Sequence, residues 1–427
     1  MKFIKYAALS AGIALIATAC GNGADDAANG NDEAPDEITV WRLGPPDDAH
    51  NEFMAQVGEE FEEQHGVAVD VEWVPWPDVD TKFQAAAAGG EGPDVTEIGN
   101  TQVVTWANQG VLADITDKVA EWDEGQEIPE NLWENETIDD QTFAVPWLGG
   151  VRAVVYRADW FDELDIDVPT NWDELLDAAQ TISENKDASG FEINGGSDAM
   201  HALAPFIWGN DGEIVVEDGD EWVSELDSPA SREAVEWYTD LVTEHGVAPE
   251  SAVTRDSVEI SRLFANDQVG MFVDGAWAKS VITDANEDLD EEAISSFTLP
   301  ARNGNSAPQF AGGNDLAVWA DSEHHDLAFE YIQLLASKEK VTEYAPIAGL
   351  LPTYPELLAD DEYLEDDWMG PFAAAMPLGK AYAVNENWVQ VEDTVVQEML
   401  RNIIRGEKSV EEATAEAAEQ MDETLNR

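Results

Sequence analysis

Sixteen tryptophans stand in this chain of 427 residues, beside 91 acidic side chains and only 20 lysines and arginines. Many of the indoles fall at the ends of predicted strands, where open α/β sheets present groups to a ligand. An indole packs on the C–H face of a pyranose, while carboxylate, amide and guanidinium groups hydrogen-bond its hydroxyls. These residue types suit the holding of a sugar. Motifs for other chemistry are missing: there is no HExxH, no P-loop Gly-Lys-Ser, no GxSxG elbow and no EF-hand loop. The six histidines are scattered, and His324-His325 lie in an acidic helix start. A glycosidase-type carboxylate pair stays open, because 91 acids guarantee chance pairs. No cofactor or metal is expected.

The N-terminus carries a second kind of chemistry. Lys2 and Lys5 precede an apolar run, Tyr6 to Ala19, too short to span a bilayer, which reads as a secretory signal over residues 1–19. It ends Ile16-Ala17-Thr18-Ala19-Cys20, which looks like a bacterial lipobox with Ala17 where leucine is usual. On that likeness the Cys20 thiol takes a diacylglycerol. Cys20 is the single cysteine, so an intrachain disulfide, a thiolate metal site and a second thiol nucleophile are all excluded. Residues 20–36 hold no large apolar side chain and read as a flexible tether. No later stretch is apolar enough to span a membrane.

The formal charge is −71, and loss of Lys2 and Lys5 with a cleaved leader makes it more negative still. Such self-repulsion destabilises a compact state at low salt. It becomes tolerable where the Debye length shrinks to about 3 Å, near 1 M salt. The composition therefore reads as built for brine. Nucleic-acid binding is excluded for want of a basic patch. The residues after the tether are long for one core and point to two lobes.

The elements that must position the indoles follow from periodicity. Ile38 to Leu43 reads as a strand. Phe53, Val57 and Phe61 then mark a helix stopped by Gly66. Val67 to Trp73 alternates as a second strand, Trp76 to Ala88 forms a helix closed by Gly89-Gly90, and Asp94 to Ile98 is a third strand. This is the βαβ pattern of a parallel sheet covered by helices. Strands resume at Phe143 to Val145, Val151 to Tyr156, Gln268 to Val273, Phe297 to Leu299 and Leu316 to Trp319. Asn171 and Glu174 stand in capping-box spacing at one helix start, and Ser409 with Glu412 at the last.

The order of these segments resembles the bacterial extracellular solute-binding proteins that include the maltose-binding proteins. The carriers are Gly92-Pro-Asp-Val95, Leu112-Ala-Asp-Ile-Thr116, Pro146 with Val154-Val-Tyr156, and Pro169-Thr-Asn-Trp-Asp-Glu-Leu175. Gly270-Met-Phe272, Gly275-Ala-Trp277, Gly312-Gly313 and the Val410-Glu-Glu-Ala413 helix follow. The stretch 89–101 looks most like an actinobacterial chitobiose-type subgroup. The resemblance implies an α/β, two-lobed periplasmic-binding-protein-like fold of class II, with a ligand cleft between lobes joined by hinge strands. Lobe one is expected at 37–146 plus 296–340, and lobe two at 147–295 plus 341–427. The implied function is that of a lipid-anchored protein on the outer face of the cytoplasmic membrane, favouring a Gram-positive surface. It would bind an oligosaccharide and hand it to the permease of an ABC importer, as a monomer and without catalysis. A secreted glycoside hydrolase, or a binder of a polyol or peptide, remain the alternatives.

The same resemblance suggests site residues. Trp277 matches the family's stacking aromatic, and Trp388 stands where the family often has another. Trp147 lies at the crossover into lobe two and Trp208 near a cleft segment. Asn100, Thr101 and Gln102 follow the third strand, where maltose-binding relatives carry charged contacts. Glu97 would be a strand-end carboxylate, Arg152 a clamp for a hydroxyl, Asn314 a cleft amide after a Gly312-Gly313 turn, and Asp274 a turn cap or a ligand contact.

Overall fold

In a computed structural model, residues 35–44, 46–219, 221–358 and 364–427 are described. The signal, the Cys20 thiol and nearly all of the tether lie outside them. Thirteen strands are seen among the described residues. In chain order they are β1 (Glu37–Leu43), β2 (Ala68–Val74), β3 (Val95–Gly99), β4 (Thr137–Ile138), β5 (Gln141–Thr142), β6 (Val145–Gly150) and β7 (Arg152–Arg157). They continue with β8 (Val215–Asp218), β9 (Glu221–Ser224), β10 (Met271–Gly275), β11 (Ile294–Phe297), β12 (Gly312–Val318) and β13 (Leu351–Pro352).

The first lobe is built on a six-stranded sheet of order β13-β6-β12-β3-β1-β2. β1 pairs in parallel with β2 and β3, as the alternation of strands and helices predicts. β12 runs antiparallel between β3 and β6. The helix Asp48–His65 begins at Asp47, whose side chain accepts from the His50 N–H, and ends where Gly66 turns left-handed at φ 72°. It buries Phe53, Val57 and Phe61 on one face of the sheet, against Tyr331 and Tyr344. The helix Val79–Gly89 buries Phe83 on the other face, with Trp41, Trp106 and Trp319. Each such fully buried side chain contributes roughly 1.5–3 kcal/mol.

The second lobe holds a three-stranded antiparallel sheet, β10-β7-β11, packed under helices by a core that includes Phe206, Tyr238 and Trp388. Only Val151 separates β6 of the first sheet from β7 of the second. The chain returns to the first sheet through β12. The two hairpins, β4–β5 and β8–β9, stand apart from both sheets.

Two expectations are corrected. Gly312, Gly313 and Asn314 form no tight turn: they are the first residues of β12, paired to Gly150, Gly149 and Leu148. Residues from 341 onward do not all go with the second lobe. β13 pairs with β6, and Val341, Tyr344 and Ala345 are buried in the same cluster as Phe53. The short apolar strand Leu351–Pro352 is legible only through its partner.

β12 carries an unusual pair. Asp315 follows an irregularity in the β12–β6 register and is 3% exposed, while Glu136 is 1% exposed. The two carboxyls are hydrogen-bonded to each other, and burial raises both, Asp315 to about 7. Two buried carboxylates cannot both ionise, so the pair holds a proton. Glu97, from β3, adds a like charge against Asp315. The folded chain keeps this proton where the unfolded chain has lost it, so the pair's contribution to stability declines as pH rises from about 4 to 7. Asp315→Asn, which keeps a donor toward Glu136, should therefore gain melting temperature relative to wild type between pH 5 and pH 8, by about 2 °C or more. Parallel melting curves across that range would exclude the shared proton.

Candidate functional site

The site begins where β1 and β3 end. Trp76 leads into the helix Val79–Gly89 and lies across the strand ends. A Cβ on Gly44 would stand 3.3 Å from its Nε1, and one on Gly99 3.7 Å from its ring. Glycine at these ends leaves room for the indole, which remains 41% exposed. Behind it, Gln102 ties the loop together: its Oε1 accepts from Gly99 N–H at 3.3 Å and its Nε2 donates to Asp80 Oδ1 at 3.3 Å. Asn100 Nδ2 donates to the Ala311 carbonyl at 3.3 Å, just before β12. Asn100 and Thr101 share a small cavity with Asn135, Tyr382 and Val384.

Across from this edge stands a packed aromatic stack. Phe310 lies flat on Tyr382 (4.2 Å, 11°) and on His201 (4.6 Å, 8°), and Tyr382 lies against Trp388 at 4.8 Å. His201 Nε2 contacts Glu392 at 2.9 Å, and its Nδ1 meets the Tyr382 hydroxyl at 3.1 Å. Trp388 Nε1 donates to the other Glu392 oxygen at 3.1 Å. The two sides already touch: Thr105 Oγ1 donates to the Glu386 carbonyl at 2.9 Å. Burial, and then the negative charge of Glu392, raise the Asp80 carboxyl above its usual range.

Trp277 wedges between the sheets. It follows β10, yet its half-buried ring packs on the first lobe's core, 3.3 Å from where a Gly150 Cβ would be. The Arg152 guanidinium lies 5.4 Å from the ring centre and 3.9 Å from Asp198. Asp274 is enclosed beneath it at 1% exposure, with Oδ1 accepting from Gly275 N–H at 2.8 Å. Burial pushes Asp274 up to about 7 in spite of Arg152. Burial also acts to raise Asp198, but Arg152, His201 and the Ser257 hydrogen bonds outweigh it and hold it low. Among the described residues no cluster of His, Cys, Asp or Glu could hold a metal ion.

The structure thus brings Asn100, Thr101, Gln102, Arg152, Asp274 and Trp277 to the region between the sheets, and leaves the other five expected residues covered or engaged elsewhere. Trp147 is fully buried, stacked on Tyr344 at 5.1 Å, with Nε1 donating to the Leu335 carbonyl. Glu97 is fully buried and answers Arg42 at 2.5 Å and Leu43 N–H at 2.7 Å. Burial raises its carboxyl against the pull of Arg42. Trp388, fully buried, and Trp208, 6% exposed, belong to the second lobe's core, so neither offers a free face. Asn314 is half-buried, and its amide is spent on Glu97 at 2.5 Å. Sequence reasoning missed Trp76, Asp80, His201, Tyr382 and Glu392. For Trp76 a signal existed: an indole between Pro75 and Pro77, after a strand and before a helix.

With this geometry in view, residues 47–342 match the family described as bacterial extracellular solute-binding protein. The chain belongs to that family. It is 28% identical to the diacetylchitobiose binding protein DasA of Streptomyces coelicolor, over 98% of this chain and 96% of that one. Its fold is shared with an ABC transporter solute-binding protein of Thermotoga lettingae solved with α-D-tagatose: TM-score 0.81, 24% identity, 92% of this chain and all of that one. The GacH receptor of Streptomyces glaucescens, solved with acarbose, gives TM-score 0.81 at 23% identity, over 91% of this chain and 98% of that one. The two-lobed architecture with its intervening cleft is that of these solute-binding proteins.

The two kinds of tryptophan separate by experiment. Trp147→Ala empties a filled core and should cost roughly 3–5 kcal/mol of stability. Trp76→Ala should change stability by less than about 0.5 kcal/mol, as for other surface positions. Chemical denaturation reads both, and comparable losses in the two variants would place Trp76 in the core instead.

Proposed function

We propose that this chain binds an oligosaccharide between its lobes and delivers it to the permease of an ABC importer, without catalysis. The observation that carries the reading is the exposed Trp76 indole at the strand ends, set beside Asp80, Gln102 and Asn100. An apolar platform ringed by carboxylate and amide groups matches the two faces of a pyranose. The half-buried Trp277 with Arg152 supplies a second aromatic wall. The curated and solved relatives, several of them named for sugars, support a sugar over other solutes. In this reading the ligand binds the closed arrangement of the lobes better than the open one, and the β6–β7 and β11–β12 crossings act as the hinge. Lobe one then comprises about 37–150 and 312–354, and lobe two most of the remainder.

A signal over 1–19, lipidation at Cys20 and a tether to residue 36 would hold the protein at the outer face of the cytoplasmic membrane. Cys20→Ser should then release it into the medium. The charge of −71 supports function in brine.

Isothermal titration of a sugar panel in molar NaCl tests the central reading. One or more oligosaccharides should bind in the micromolar range or tighter, weakened at least about tenfold by Trp76→Ala. The melting temperature should also be higher in molar NaCl than at low salt. Heat signals absent for every oligosaccharide would end the sugar assignment. Product formation on long incubation would favour the hydrolase.

A further inference from the structure

Two hydrogen bonds cross from lobe to lobe away from the Trp76 platform, and both end on Glu386. Thr105 Oγ1 donates to its carbonyl at 2.9 Å, and Asn108 Nδ2 donates to its carboxylate at 3.3 Å. Thr105 and Asn108 stand three residues apart on the helix Val103–Asn108, so they share one face. The opposite face buries Val103, Trp106 and Ala107 in the first lobe's core, with Phe83 and Trp319. Glu386 is fixed as firmly to the second lobe. Its neighbour Asn385 donates to the Leu425 carbonyl at 2.9 Å and accepts from Asn387 N–H at 2.8 Å. Trp388 then anchors the segment in that lobe's core. Inward of the two bonds, Thr101 and Val104 meet Tyr382 and Val384 around the small cavity.

Both ends of this link are therefore rigid within their own lobes. A rotation about the β6–β7 and β11–β12 crossings that opens the strand ends pulls Thr105 and Asn108 away from Glu386. Bonds made only in the closed arrangement shift the equilibrium toward it. In the open arrangement water solvates the same groups, so the net gain from each bond is small. Trp76, Asp80 and Gln102 take no part in these bonds, so the link acts with or without a ligand in place.

We propose that Thr105, Asn108 and Glu386 form a clasp across the cleft mouth, which favours the closed form of the free chain and slows the release of a bound ligand. The clasp rests on the reading that a ligand is enclosed between the lobes, and not on that ligand being a sugar.

The test has two readouts, both on the full chain in molar NaCl. In the free chain, Thr101→Cys with Val384→Cys, in a Cys20→Ser background, is cross-linked by a short bifunctional maleimide. The trapping rate, normalised to single-cysteine labelling, follows the closed fraction. Release of the β-1,4-linked disaccharide of N-acetylglucosamine is followed by stopped-flow tryptophan fluorescence. Thr105→Val with Asn108→Ala removes both donors, and should slow trapping and speed release by about fivefold. Asn108→Lys sets an ammonium against the Glu386 carboxylate, and should move both rates about twofold the other way. Adding Glu386→Gln should cancel that gain. No trapping in the parent pair, equal rates in all variants, or shifts of the same sign in both directions of the test overturn the clasp. Trapping rates that shift as expected while the disaccharide and the rest of the sugar panel fail to bind uphold the clasp and overturn the sugar reading alone.

Discussion

The structure depends on β12. It is the strand by which the chain returns to the first sheet, and it is hydrogen-bonded along both edges, to β3 and to β6. Those neighbours place what matters on either side. β3 ends at Gly99, beneath Trp76, and runs on into Asn100, Thr101 and Gln102. β6 leads through one residue into β7, which carries Arg152. A slip of β12 by one residue would exchange the faces on which Leu316, Ala317 and Val318 pack. The register is held by side chains as well as backbone, since Asn314 donates to Glu97, which in turn holds Arg42 and the Leu43 amide.

This explains why the first lobe buries charge. The Arg42 guanidinium sits 4.2 Å from the centre of the Trp147 ring and donates to the Tyr344 hydroxyl at 2.7 Å. A buried pair of this kind adds little net stability against an apolar replacement, but removing one partner strands the other. Its effect is geometric: it joins β1, β3, β12 and the helix Lys338–Ala348 at the end of the sheet that faces the second lobe. Glu97, expected as a ligand contact, belongs to the support of the site.

Most of the fold was legible in the sequence, because regular burial leaves a periodic trace. Phe53, Val57 and Phe61, the alternation from Val67 to Trp73, and the caps at Asn171 and Ser409 all report local structure directly. β13 left no such trace, because two residues have no period and their role comes from β6. Site residues were harder for the same reason. Trp147, Trp388 and Trp76 are chemically identical, and only tertiary neighbours decide which is covered. Tyr344 covers Trp147 and Tyr382 covers Trp388, whereas Gly44 and Gly99 leave Trp76 open. Asp80 is one acid among 91, and only the fold brings Gln102 against it.

The central claim is that ligand is gripped between the ends of β1 and β3 and the opposing aromatic stack. Hydrogen–deuterium exchange, with and without a bound oligosaccharide in molar NaCl, tests it most directly. The account predicts slowed exchange in 76–80, 99–102 and 382–392, with an outer groove, the one lined by Glu236, Thr243, Arg405 and Lys408, unchanged. Protection confined to that outer groove, or none in the strand-end loops, would contradict it.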